Sequence, residues 1–166
     1  MLKTQDSRIR EATQEDIFDI LILAREFSRE APKSHKWDKD KTEQFVLSAI
    51  QNTNMGVFVI DVDGEIQGAL IGLLSEFYMS HIVQATEVAW FVSKEFRGKV
   101  SSIKLVKHFE KWAKVNGASY VGMGDIESIS SLGSLYTRMG YNKAETIYLK
   151  EIVSLETHVQ YCVISN

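Results

Sequence analysis

The residues best suited to chemistry lie close together between Val88 and Ser102. Val88-Ala89-Trp90-Phe91-Val92 is an apolar run of strand length and composition. A polar turn, Ser93-Lys94-Glu95, follows, and Phe96-Arg97-Gly98-Lys99 leads into Ser101-Ser102 and an amphipathic helix that reaches about Asn116. The first N–H groups of a helix have no intrahelical acceptor, and the aligned peptide dipoles put partial positive charge at that end. A strand, a cationic turn and a serine-bearing helix start therefore make an anion-binding device. Several backbone donors in a row, with Arg97 and Lys99 beside them, suit a diphosphate better than a lone carboxylate. The plain alternative is an ordinary strand-to-helix turn with solvated charges.

Such a device needs a scaffold, and the rest of the chain supplies one. Arg8 to Ala12 alternates polar and apolar residues as a first strand, and Thr13 with Asp16 resembles a capping box. Ile17, Ile20, Leu21, Ala24 and Phe27 then recur at helical spacing. Ser28 to Lys39 reads as a loop that carries Trp37. Lys41 to Gln51 reads as a second helix with Phe45, Val46, Ala49 and Ile50 turned inward. Gly56 to Asp61 and Ile66 to Leu74 are strands joined across Asp63-Gly64, a strong hairpin signal. Gly68 and Gly72 share one face of the second of these, which lets another element approach closely. Val83 to Val92 is the next strand. The helix after the cationic turn carries Ile103, Val106, Phe109 and Ala113 on its buried side, with Leu105 and Trp112 added to them. Beyond Gly117 the pattern predicts a strand over Ser119 to Gly124, a polar loop, and a short helix from Ser131 to Met139 ended by Gly140. Strands over Tyr141 to Glu151 and Val159 to Ile164 complete the expectation.

The 166 residues fit one domain, 1–166, with a sizeable core. A formal charge of −3 gives no reason to expect nucleic acid or an anionic membrane as a partner. The lysines of the third helix read as a solvated face. No apolar stretch approaches a membrane span, and the polar start from Met1 to Asp6 does not look like a signal peptide. One cysteine, Cys162, leaves no internal disulfide and no cysteine-based zinc cluster; a reducing cytoplasm fits best, and no metal is expected.

Val92 to Lys99 resembles the strand end and pyrophosphate loop of the GNAT superfamily of N-acetyltransferases, usually written Val-x-Pro-Glu-Tyr-Arg-Gly-x-Gly-x-Gly or Ala. Glu95, Phe96, Arg97 and Gly98 match or replace conservatively, while Val100 and Ser102 stand where the family keeps small residues. Leu135-Tyr136-Thr137-Arg138-Met139-Gly140-Tyr141 resembles a second family segment, at the expected distance. With the opening strand and the Asp-Gly hairpin, the resemblance covers about residues 8 to 150. It implies an α/β (α+β) fold: a mixed, mostly antiparallel central sheet flanked by helices and splayed open at an acetyl-CoA cleft. The Arg97-Gly98 form of the loop also resembles GNAT-like proteins of bacterial viruses.

The resemblance further implies acetyl transfer from acetyl-CoA, a cosubstrate, to a primary amine by direct attack. It assigns cosubstrate contacts to Phe91, Val92, Arg97, Gly98, Lys99, Val100, Ser101, Ser102 and Ser131, with oxyanion contact from backbone N–H near Phe91 and Val92. Ser102 is small enough to be tolerated, with a hydroxyl to donate. Tyr136 stands at the acid position toward sulfur, and a phenol is protonated at neutral pH. Glu87 stands where many members keep a general base, and strand alternation places it on one face with Ala89 and Phe91. His81 is the alternative base. Ile129 occupies the place of a frequent Asn, with Asp125, Ser128 and Ser131 as replacements. The amine acceptor stays open between small molecule, peptide and protein lysine; acids such as Glu26, Glu30, Asp38 and Asp40 would favour a cationic one. The last strand offers an edge for a homodimer. The competing reading is a catalytically inactive GNAT-fold binding or structural protein.

Overall fold

Strand-forming runs in the first three quarters of the chain pair into a five-stranded sheet ordered β1-β2-β3-β4-β5. Its strands are β1 (Ser7–Glu11), β2 (Met55–Val62), β3 (Glu65–Glu76), β4 (Val83–Val92) and β5 (Tyr120–Gly122). All neighbours are antiparallel except β4 and β5, which run parallel. This computed structural model describes residues 7–32, 36–126 and 132–152. Contacts divide the chain into two units, Met1–Leu132 and Gly133–Asn166.

In the first unit, helices cover both faces of the sheet. α1 (Ile17–Glu30) and α2 (Lys39–Gln51) lie on one side. Ile20 and Leu23 of α1 and Val46 and Ala49 of α2 form a core with Val57, Val59, Ala69 and Ile71, against which Ala89 and Phe91 pack. α3 (Val100–Val115) covers the other side, where Phe109 and Trp112 meet Phe58. With both faces covered, β2 is buried almost throughout, which explains its continuous apolar sequence. A Cβ at Gly72 would run into the Phe109 ring. The close approach read at Gly72 is therefore made by α3, whereas at Gly68 it is made by the Ile60 side chain of β2.

Asp63 and Gly64 both take positive φ, 54° and 91°, so the β2–β3 connection is a tight two-residue hairpin. Asp16 accepts the Thr13 N–H at 2.7 Å and a two-toothed pair of bonds from Arg10 at 2.7 and 2.8 Å. Arg10 Nε also reaches Asp61 at 2.8 Å. That network ties β1, β2 and the start of α1 together.

The described part of the second unit is α4 (Gly133–Arg138) and the segment after it. Gly140, at φ 94°, closes the helix as expected, and the Tyr141 N–H donates to the Tyr136 carbonyl at 2.9 Å. The strand expected over Tyr141 to Glu151 is corrected: this stretch forms no strand. Ile147, Tyr148 and Leu149 are all exposed, so neither face of the alternation is covered. A lone extended segment without a ladder partner has nothing to hold it as a strand. The strand expected over Val159 to Ile164 lies outside the described residues.

Candidate active site

β4 is hydrogen-bonded along its length to β3 but meets β5 only through Gln84, Ala85 and Thr86. From Glu87 onward that edge has no strand partner among the described residues. Two features shape the parting. The β3–β4 register shifts so that Ile71 faces Ala89 while Gly72 faces Glu87, leaving Val88 as an extra residue, and such a bulge bends its strand. The Glu87 carboxylate also accepts the N–H of Gly124, just past β5, at 2.9 Å. A Cβ on Gly124 would stand 3.0 Å from that same oxygen, so the glycine permits the approach.

The bulge corrects the expected placement of Glu87. Alternation put it on one face with Ala89 and Phe91, but the extra residue breaks the count. Glu87 lies opposite Gly72, on the α3 side, whereas Ala89 and Phe91 join the α1–α2 core. Burial pushes the Glu87 carboxyl above its ordinary range, opposed in part by the Gly124 N–H. His81 is fully exposed in the β3–β4 turn, with Nδ1 3.6 Å from Glu76.

The direction of each β4 amide follows from one bond. The Ser93 N–H donates to the Gln67 carbonyl at 2.9 Å, and hydrogen-bonded pairs alternate in an antiparallel ladder. The Phe91 N–H therefore points toward β3, while those of Trp90 and Val92 point to the parted edge. Of the two residues near which the oxyanion contact is expected, the Phe91 amide belongs to the ladder and the Val92 amide faces the open edge. The Trp90 N–H faces the same edge as that of Val92, which residue types do not reveal because ladder phase is not visible in them.

Past β4, a single helical turn (Lys94–Phe96) leads to Gly98, at φ 74°. No side chain caps α3. The N–H groups of Gly98, Val100 and Ser101 have no acceptor among the described residues. Ser101 and Ser102 are buried, while Val100 is 68% exposed. The Ser102 hydroxyl, read from the sequence as one to donate, donates inward to the Phe96 carbonyl at 2.7 Å. Lys99 lies with Nζ 3.8 Å from the Phe96 ring centre. Arg97, although exposed, is engaged by the chain itself: Nε donates to the Val92 carbonyl at 3.0 Å and Nη1 to Glu30 at 2.6 Å. What the turn offers an anion is backbone N–H and a helix dipole, with Lys99 beside them.

Tyr136 is buried on α4, its ring 5.6 Å from that of Tyr141. Asp125, one of the residues expected to replace the Asn, accepts the Leu132 N–H at 3.1 Å through either oxygen. Ser128, Ile129 and Ser131 lie outside the described residues. Asp38 accepts the Lys41 N–H at 2.8 Å as the cap of α2, and Trp37 lies 5.7 Å from the Arg25 guanidinium.

The chain superimposes on solved structures over most of its length. A GNAT family acetyltransferase from Staphylococcus aureus aligns with a TM-score of 0.66 at 13% identity, over 88% of this chain and 98% of that one. The fold is that of the GNAT acetyltransferases. An aminoglycoside N-acetyltransferase in complex with CoA aligns at 0.73 and 14% identity, over 92% and 98%. A transcriptional regulator from Bacillus halodurans aligns at 0.75 and 19% identity, over 89% and 100%. No protein-family model matches the sequence, and no match was found among curated proteins. The GNAT fold has a mixed, mostly antiparallel sheet here, open where β4 and β5 part. No described helix is long and apolar enough to cross a membrane.

Proposed function

We propose that this chain is an acetyl-CoA-dependent N-acetyltransferase acting on a primary amine. One observation carries the reading: a β4 edge without a strand partner runs directly into a turn whose Gly98, Val100 and Ser101 N–H groups have no acceptor, both among the described residues. An extended pantetheine arm suits the first, and a diphosphate suits the second. Acetyl-CoA supplies a thioester-activated acetyl group. In this reading the Gly98, Val100 and Ser101 amides hold the diphosphate with the α3 dipole and Lys99. The Trp90 and Val92 amides face the arm and polarise the acetyl carbonyl.

Glu87 takes the amine proton through water, and its raised pKa suits a base working near neutral pH. The amine nitrogen forms its bond to the acetyl carbon as the carbon–sulfur bond breaks, and Tyr136 gives its phenolic proton to the leaving sulfur. No covalent enzyme intermediate is involved. The whole chain works as one acetyltransferase domain in a reducing cytoplasm, with a small-molecule or peptide amine as acceptor.

Calorimetric titration of the intact protein with acetyl-CoA tests this. Saturable binding, followed by thiol release with an amine panel, supports it. Absence of binding by the folded protein overturns it. Binding without turnover would favour the second reading, a GNAT-fold binding protein, for which the exposed Val100 at the mouth of the turn is the supporting observation.

A further inference from the structure

Glu30 is the last residue of α1, where a negative charge meets the negative end of the helix dipole. Two cations from a distant part of the chain offset that penalty. Arg97 Nη1 lies 2.6 Å from Glu30 Oε2, and Lys94 Nζ lies 3.0 Å from Oε1. One turn earlier in α1, the Phe27 ring packs 5.1 Å from that of Phe91. Arg97 continues the connection by donating through Nε to the Val92 carbonyl. The end of α1 is thus fastened to the last residues of β4 and to the turn that precedes α3.

We propose that Arg97 is a positioning residue anchored by Glu30, and not a ligand of the diphosphate. The guanidinium holds the end of β4 and the Gly98 turn at the spacing that aligns the Val92 and Gly98 amides, and Glu30 fixes the guanidinium. This rests on the acetyltransferase reading for its effect on binding, but the Glu30–Arg97 coupling itself does not. If Arg97 instead touched phosphate directly, Glu30 would compete for it, and removing Glu30 would tighten binding.

The test is a double-mutant cycle of Glu30→Gln, Arg97→Ala and the two combined, read by calorimetric titration with acetyl-CoA and by thermal unfolding. Glu30→Gln and Arg97→Ala are each expected to weaken binding about tenfold, with the double variant no weaker than the worse single one. Unchanged or tighter binding in Glu30→Gln, alongside weakening in Arg97→Ala, would overturn the proposal. If the intact protein fails to bind acetyl-CoA, the acetyltransferase reading falls, and the unfolding midpoints decide the anchoring. Non-additive losses then support the Glu30–Arg97 anchor, and additive ones refute it.

Discussion

The Glu87 carboxylate meets the Gly124 N–H at 2.9 Å, at the point where β4 leaves β5. A side-chain oxygen there does what the next ladder carbonyl would do in a continuous pair. The same oxygen carries the proposed base function, so charge state and strand spacing depend on one group.

Glu87→Gln separates these roles. Glutamine Oε1 still accepts the Gly124 N–H, so the fold should survive, while turnover should fall by about 100-fold if Glu87 is the base. The wild-type rate should rise with pH along a limb above the ordinary glutamate range, because burial raises this carboxyl, and the limb should vanish in the variant. The stability sign runs the other way. An acid whose folded pKa is raised loses stability as pH climbs from its unfolded value, about 4.3, through the folded one. Glu87→Gln should therefore gain stability over wild type at pH 8 relative to pH 4, measured as unfolding midpoints.

Gly72→Ala tests the α3 face. The added methyl would enter the Phe109 ring, which is fully buried, and overpacking of this kind costs about 2 to 3 kcal/mol. For a chain of this size that lowers the midpoint by about 5 to 10 °C. Combining it with Phe109→Leu should recover part of the loss relative to the sum of the two changes. An unchanged midpoint in Gly72→Ala would contradict the packing.

Arg10→Met tests the network at β1. Removing the guanidinium leaves Asp16 with only the Thr13 donors and Asp61 with only the Gly64 N–H and the exposed Arg8, and should cost about 3 kcal/mol at neutral pH. Bonds from Arg10 hold both carboxyls below their ordinary range. Their contribution is present above the unfolded value, about 3.9, and disappears as pH falls through the lowered folded values. The gap between wild type and variant should therefore shrink in acid denaturation. A gap that stays constant to pH 2 would show that the pairing does not act through charge.

The fold was legible where spacing alone decides structure. Asp63-Gly64 marked its hairpin, Gly72 its close neighbour, and Val83 to Val92 its strand, because each depends on local backbone chemistry or period. The site was legible as a turn but not as an arrangement. The bulge at Val88 has no residue signature, and it moved Glu87 to the other face. Glu30 lies 67 positions before Arg97, so their pairing could be found only once the sheet had brought α1 to β4. An acid on the last turn of a helix was the one available hint, since it asks for a cation. The segment after Tyr141 had strand composition, but composition does not provide a neighbour.

Gly98→Ala tests the turn itself. Gly98 stands at φ 74°, and nothing lies within 4 Å of where a Cβ would be. The penalty for alanine is therefore conformational, about 1 kcal/mol, and not a clash. The turn should relieve it by rotating the following peptides, carrying the Val100 and Ser101 amides out of line. Acetyl-CoA binding should weaken about tenfold in calorimetric titration, with only a small fall in unfolding midpoint. Gly98→Asn is the control, because asparagine tolerates this backbone region better than alanine. It adds more bulk and the same loss of glycine, yet should bind more tightly than the alanine variant. If asparagine binds no better than alanine, side-chain bulk at the mouth of the turn, and not backbone conformation, controls the site.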